Sequence, residues 1–235
     1  MKQRWLHPWH TLAALAALAL ASCATWRGKS SATHEVARPR PGPRNPDAWA
    51  VLFIGNSYSQ GVPREFTRLA AARGIQVRTG QATHDGWSLA RHAEDADTLA
   101  LLRGSAWDLV VLQEHSLAPS SRRRRLLDMQ PALLRLADEA RSIGATPMLV
   151  QTWGRRNGDP ANPRGGFHAM NDQVRKGCQR AARHAGVTMI PTGDAWQREV
   201  DAGRADAVFQ ADGSHPTRRG NQITAETVLQ AMGIE

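Results

Sequence analysis

Short apolar runs recur along the chain and alternate with longer stretches of helical periodicity. The clearest run, Ala50–Ile54, is apolar throughout and ends at Gly55, which is the pattern of a strand buried on both faces. Similar runs follow at intervals that leave room for a helix between them. They predict strands over residues 50–54, 75–79, 108–112, 147–151 and 187–190.

Between the strands, apolar positions three and four residues apart predict helices, one of which should be interrupted near Pro131. Strands that alternate with helices need crossover connections, which give a parallel sheet with helices on both faces. We therefore expect an α/β protein, a three-layer α/β/α sandwich around a five-stranded parallel sheet, with its ligand at the carboxyl ends of the strands. The predicted helices cover residues 63–73, 89–103, 122–143, 168–185, 194–202 and 217–232.

The first 22 residues have the basic start and the short Ala/Leu run of a secretory signal. They lead into Leu20-Ala21-Ser22-Cys23, which resembles a bacterial lipobox and implies that Cys23 carries the lipid anchor. The alternative is an ordinary signal peptide with an incidental cysteine. Residues 23–47, rich in Pro, Arg, Ser and Thr, predict a flexible tether, and residues 48–235 one domain. We expect an exported cell-envelope lipoprotein, and Ala24 after the cysteine favours the outer membrane, facing the periplasm.

The net charge of +9 falls to +7 when Lys2 and Arg4 are removed with the signal. Arg122–Arg125 is the densest cationic cluster, and it lacks the interleaved aromatic residues or the known module that a nucleic-acid site would have. No nucleic-acid partner is therefore expected, and a solvated helix face is the favoured interpretation of the cluster. An attraction to anionic lipid or cell-wall polymer stays open.

Two segments predict nucleophilic catalysis. Ser57 follows the first strand by a short turn that contains Gly55, where a serine can be exposed as a nucleophile and backbone N–H groups can face a developing oxyanion. Asp212-Gly213-Ser214-His215 could supply the base and the carboxylate that orients it. Taken separately, each has an ordinary alternative: Ser57 as a helix N-cap, and Asp212 as a capping residue beside a surface histidine.

Together, Gly55-Asn56-Ser57, a downstream glycine and Asp212-Gly213-Ser214-His215-Pro216 resemble the SGNH (GDSL-like) hydrolase superfamily, in the branch with Gly-Asn-Ser. The resemblance spans nearly all of residues 48–235 and implies the flavodoxin-like fold of that superfamily. Further stretches that carry it are Gly86–Leu89, Leu112–Ser116, Gln151–Trp153 and Ile190–Trp196.

The resemblance also implies roles: Ser57 as nucleophile, His215 as base, Asp212 as its orienting carboxylate, and the backbone N–H groups of Ser57 and Gly86 in the oxyanion hole. The superfamily usually has a Gly-x-Asn-Asp motif after the third strand, whose Asn donates to the oxyanion. This chain departs from that motif with Gln113-Glu114-His115, and Gln113 is assigned the donor role in its place.

Other chemistries fit the sequence poorly. A metal or a nucleotide cofactor is not expected, because the histidines are scattered and no phosphate-loop or dinucleotide fingerprint is present. Gly-x-Ser-x-Gly is also missing, which argues against an α/β-hydrolase fold. A catalytic Cys178 is the weaker alternative to a small residue on a helix face. The loop 154–166 is either a substrate cover or an ordinary solvent loop.

The sequence thus predicts a serine ester hydrolase that uses an acyl-enzyme and no cofactor, with an acyl ester or acylated glycan as substrate. Removal of acetyl groups from envelope or extracellular glycans would suit an exported, tethered protein. An acyl transferase with the same triad and a non-catalytic glycan-binding protein are the alternatives. The sequence leaves the oligomeric state open.

Overall fold

The computed structural model describes residues 44–45, 48–162 and 164–234. The predicted signal, Cys23 and most of the predicted tether lie outside the described residues. Arg44, expected in the tether, donates its backbone N–H to Asp108 Oδ1 (2.8 Å), while Asp108 Oδ2 accepts from the N–H of Ala50 (2.7 Å). Arg44, four residues before the predicted start of the domain, is therefore hydrogen-bonded to it.

The five predicted strands form one parallel sheet in the order β2-β1-β3-β4-β5. β1 is an interior strand and is fully buried, as its continuous apolar run predicts, and it pairs with β2 on one side and β3 on the other. The predicted fold is thereby confirmed. The strands are β1 Trp49–Gly55, β2 Val77–Thr83, β3 Leu109–Gln113, β4 Thr146–Val150 and β5 Thr188–Ile190.

Helices cover both faces of the sheet. Along β1, Val51 and Phe53 face a core completed by α1 and α10, whereas Leu52 and Ile54 face a core completed by α2, α3, α6 and α7. A third, smaller cluster of mostly aromatic residues includes Tyr58, Trp153 and Trp196. The helices are α1 Val62–Ala71, α2 Leu89–Glu94, α3 Ala96–Arg103, α4 Leu117–Ser120, α5 Arg122–Arg124, α6 Gln130–Ser142, α7 Gly166–Ala185, α8 Thr192–Asp201, α9 Ala205–Val208 and α10 Arg218–Ala231.

Three predicted elements differ from the structure. β2 begins two residues later than predicted and extends to Thr83, because this edge strand is polar over much of its length and its apolar pattern stops early. The predicted helix 89–103 divides at Asp95, whose extended backbone and side chain cap α3. The predicted helix 122–143 contains a π-helical turn, Arg125–Met129, before Pro131 at the start of α6. The short helices α4 and α9 were not predicted.

Candidate active site

Hydrogen bonds to the side chains of Gln113 and Asn56 hold the turn after β1. Gln113 Oε1 accepts hydrogen bonds from the N–H of Asn56 (3.0 Å) and the hydroxyl of Ser59 (2.9 Å). Asn56 Oδ1 accepts from the N–H of Tyr58 (3.1 Å), and Asn56 Nδ2 donates to the carbonyl of Trp87 (3.0 Å). The backbone on both sides of Ser57 is therefore fixed.

Ser57, His215 and Asp212 meet at this edge of the sheet. Ser57 Oγ lies 3.0 Å from His215 Nε2, and His215 Nδ1 is hydrogen-bonded to Asp212 Oδ2. Asp212 Oδ1 accepts from the backbone N–H groups of Ser214 (2.9 Å) and His215 (3.0 Å). The arrangement has the connectivity of a Ser-His-Asp triad, in which the carboxylate fixes one imidazole nitrogen and the other faces the serine.

The charge of Asp212 is stabilised by the same hydrogen bonds. Partial burial by itself raises the pKa of this carboxyl, but the bonds from the His215 ring and from the two backbone N–H groups outweigh it and bring the pKa to about 2. Asp212 is therefore ionised at any pH near neutrality and can hold the imidazole with Nδ1 as the donor.

Aromatic residues tie the Asp212–His215 turn to the Ser57 turn. Trp153 Nε1 donates to the carbonyl of Ser214 (3.0 Å), and the hydroxyls of Tyr58 and Ser214 are hydrogen-bonded to each other. The Tyr58 ring stacks on Trp153 with 5.1 Å between the ring centroids, and Trp153 stacks on Trp196 with 3.8 Å between theirs. Each stacked pair of this kind stabilises the folded protein by about 0.5–1.5 kcal/mol beyond the contribution of the apolar area that the rings bury.

A cavity of about 770 Å³ opens over the triad, large enough for a ligand of drug or oligosaccharide size. Gly86 lies in its wall with φ +69°, a left-handed conformation that would strain a residue with a side chain. Because glycine has no side chain, its backbone is exposed to the cavity. Of the loop 154–166, Arg155 lines the cavity. The cavity wall includes Ser57, Gly86, His115, Arg124, Arg155 and His215.

Gln113, predicted to donate to the oxyanion, lies beneath the Ser57 turn rather than in the cavity. Its side chain is buried, its carbonyl oxygen faces the Asn56 N–H, and its Nε2 is buried with no hydrogen-bond partner among the described residues. The prediction for Gln113 is therefore wrong for this arrangement. Gly55 and Gln113 pack closely together, since a Cβ at Gly55 would lie 2.5 Å from Gln113 Oε1.

Glu114 and His115, the next residues after β3, were not assigned roles from the sequence. The Glu114 carboxyl is buried and accepts from the N–H groups of Leu89 (3.0 Å) and His115 (2.9 Å). Burial raises the pKa of Glu114 to about 7, because these two bonds do not offset the loss of water. His115 lines the cavity, and burial lowers the pKa of its imidazole.

The Arg122–Arg125 cluster is divided by the fold. Arg122, Arg123 and Arg124 are exposed, as a solvated face predicts, and Arg124 also lines the cavity. The solvated-face prediction is wrong for Arg125, which is buried and donates from Nη1 to the carbonyl of Pro119 (3.1 Å).

The other candidate groups among the described residues do not form a second catalytic or metal site. Cys178 is buried in α7, where burial raises the pKa of its thiol to about 12, so it is a packing residue and not a nucleophile. Within the described ranges, no group of three or more His, Cys, Asp or Glu side chains could hold a metal ion. The helices of that same part of the chain are too short or too polar to cross a membrane.

The structure of this chain is similar to several solved structures. The sequence matches no family model and no curated protein. A candidate SGNH hydrolase from Slackia heliotrinireducens is 27% identical with a TM-score of 0.65, over 79% of this chain and 100% of its own. A DUF4886 family protein from Bacteroides uniformis (23%, TM-score 0.67, covering 79% and 83%) and the acetylxylan esterase Axe2 from Geobacillus stearothermophilus (17%, 0.61, covering 83% and 97%) share the fold.

Replacement of Gln113 by Ala should both destabilise the protein and misplace Ser57. The buried N–H of Asn56 would lose its partner, and we expect the free energy of unfolding to fall by ~1–3 kcal/mol. Labelling of Ser57 by a fluorophosphonate should slow in the fraction that stays folded. Denaturant unfolding and labelling rates measure the two effects.

Gln151→Ala is the matched control, since Gln151 is a buried glutamine just past β4 that bonds Asp194 instead of the Ser57 turn. It should lower stability without slowing the labelling. Slower labelling in Gln113→Ala with unchanged stability would instead return Gln113 to the oxyanion hole.

Glu114 should make stability depend on pH. Its pKa is about 7 in the folded protein and near 4.5 in the unfolded chain, so the folded state binds more protons between these values. The free energy of unfolding should then fall as pH rises through this window, by an amount on the order of a few kcal/mol. Glu114→Gln should remove that fall, as measured by denaturant unfolding between about pH 4 and about pH 8.

The control is Glu139→Gln. The pKa of Glu139 is lowered by its hydrogen bond to Arg103, so its loss should leave the slope between the two pKa values of Glu114 in place. An unchanged slope in Glu114→Gln would mean that Glu114 is not the group responsible.

Proposed function

We propose that this chain, a hydrolase that belongs to the SGNH superfamily, acts on ester bonds through Ser57, His215 and Asp212. The observation that carries the proposal is the 3.0 Å contact between Ser57 Oγ and His215 Nε2 at the floor of the cavity. This distance is within hydrogen-bond reach, which a nucleophile and its general base require.

In the first half of the reaction, His215 Nε2 accepts the Ser57 proton as Oγ attacks the ester carbonyl carbon. The ionised Asp212 stabilises the imidazolium that forms and does not itself become protonated. Collapse of the tetrahedral intermediate breaks the bond to the alcohol oxygen, which takes the proton from His215. Water then attacks the acyl-enzyme by the same route and releases the carboxylic acid.

The oxyanion would be bound by the backbone N–H groups of Ser57 and Gly86. Both residues lie in the cavity wall, and Asn56 ties the Ser57 turn to the Gly86-Trp87 segment through the Trp87 carbonyl. Preorganised donors of this kind are worth ~10²–10³ in rate each, since they strengthen only as charge develops.

The acyl group we propose is acetyl, on an envelope or extracellular glycan. Two considerations support it: the fold relative Axe2 is an acetylxylan esterase, and the sequence predicts export with a lipid anchor. The cavity is also large enough for the sugar part of such a substrate.

Replacement of Ser57 by Ala should abolish ester hydrolysis. Without the nucleophile, kcat/KM for an aryl acetate should fall by ~10⁴ or more, and the fluorophosphonate label should be lost. The control is Ser142→Ala, an exposed serine of α6 whose hydroxyl bonds a helix carbonyl and which should keep wild-type activity. Near-wild-type turnover in Ser57→Ala would remove Ser57 from the mechanism, and transfer of the acetyl group to a sugar hydroxyl without free acetate would identify a transferase.

We further propose that the protein is anchored in the bacterial outer membrane by lipid on Cys23. Cys23→Ser should release the full chain from the membrane fraction or block its processing, because the lipid is attached through sulfur. Fractionation and the mass of the mature protein measure this. Cys178→Ser is the control, since Cys178 is buried in the domain and its replacement should leave processing and membrane fractionation unchanged. A mature mass and fractionation identical to wild type in Cys23→Ser would contradict the anchor.

A further inference from the structure

We infer that the site selects esters whose alcohol part carries a negative charge, a carboxylate or a phosphate, and that Arg124 and Arg155 recognise that charge. The inference rests on the proposed ester hydrolysis and names its substrate class.

Two separate segments bring these arginines to the same cavity. Arg124 is the last residue of α5, and Arg155 lies in the loop that follows β4. Both line the cavity that contains Ser57 and His215. Burial lowers the pKa of the imidazole of His115, another cavity residue, and the positive charges of both arginines lower it further.

The backbone of each arginine is anchored. The N–H of Arg124 donates to Ser121 Oγ (3.4 Å), which caps α5, and the N–H of Arg155 donates to Met170 Sδ (3.2 Å) on α7. The two side chains therefore start from fixed points in the cavity wall.

Neither charge is neutralised within the part of the chain that the structure describes. Arg124 and Arg155 have no carboxylate within 4.0 Å there, whereas the adjacent Arg156 pairs with Asp206 and Arg175 pairs with Asp194. Arg155 Nε is moreover buried without a hydrogen-bond partner among the described residues. A buried guanidinium nitrogen without an acceptor is a donor that a ligand oxygen can satisfy.

The acidic residues near the site are held by other groups. Asp85, in the cavity wall, accepts from Gln60 Nε2 (2.7 Å), and Asp212 is hydrogen-bonded to His215. The wall therefore carries one carboxylate as well as the two arginines, but among the described residues no carboxylate is ion-paired with either guanidinium.

Guanidinium groups bind carboxylate and phosphate through charge-assisted, often bidentate, hydrogen bonds. A neutral acylated sugar would leave both arginines without a partner, whereas an acidic sugar or a phosphate-bearing alcohol would satisfy them. Because the charge lies on the alcohol part, it leaves with the first product and the acyl-enzyme is unaffected.

The test compares three phenyl acetates that differ in the para substituent: carboxylate, phosphate or carboxamide. The carboxamide has no charge and serves as the neutral reference. With the full-length protein in non-ionic detergent, we expect kcat/KM for at least one charged ester to exceed that for the amide by about tenfold. Raising the salt concentration should reduce this preference, since added ions screen the attraction.

Arg124→Gln and Arg155→Gln should each lower the preference for the charged ester by up to about tenfold, and Arg124→Lys should retain part of it. Arg123→Gln is the matched control: it removes the same charge one residue away, on an exposed side chain outside the cavity wall. It should leave the preference unchanged.

Preference for the phosphate would point to a phosphate-bearing alcohol, and preference for the carboxylate to an acidic glycan; both support the inference. Equal cleavage of charged and neutral esters, independent of salt, would overturn it while ester hydrolysis by Ser57 stands. An equal loss of preference in Arg123→Gln would also overturn it, because a general surface charge would then explain the effect. If no ester is cleaved, the proposed function fails together with the inference.

Discussion

The position of Ser57 depends on the parallel pairing of β1 with strands on both sides. All seven residues of β1 are buried, and β2 and β3 hold it in register. At its carboxyl end, the carbonyl of Gly55 accepts from His92 Nε2 (2.8 Å) and the N–H of His84 (3.2 Å), while Gln113 packs directly beneath. A turn that leaves such a strand is constrained by the sheet, so Ser57, the proposed nucleophile, inherits the rigidity of the core.

His215 and Asp212, the proposed base and its carboxylate, come from a turn near the opposite end of the sequence, and this turn is positioned by packing as much as by hydrogen bonds. Trp153 follows β4 and Trp196 belongs to α8, so the stack of Tyr58, Trp153 and Trp196 joins three segments that are remote in sequence. Trp153 Nε1 then holds the Ser214 carbonyl directly. The residues that align the triad are therefore largely the side chains of a small aromatic core.

Much of this arrangement is predictable because it follows from patterns that local sequence carries. β1 and β3 are long apolar runs, so their ends fall within one residue of prediction, and Ser57 and His215 occupy short motifs beside glycines. Gln113 could not be placed in this way. Its position at the end of β3 was predicted, but whether its amide faces the cavity or the turn beneath depends on the contact with β1. Arg124 and Arg155 reach the site from segments whose composition suits solvent, and only tertiary packing brings them together.

The proposed triad is partly open to water, and this bears on how a substrate would contribute to the reaction. The side chains of Asp212 and His215 are 47% and 39% exposed, so water weakens the electrostatic stabilisation between them. A ligand that fills the cavity would exclude part of that water and strengthen both this pair and the oxyanion contacts. Binding energy from groups remote from the ester, including any charge held by Arg124 and Arg155, can then raise kcat as well as lower KM. On this reasoning, substrates with only a small alcohol part use less of the site than the cavity provides, and the chemical identity of the alcohol matters as much to the rate as the acyl group that is removed.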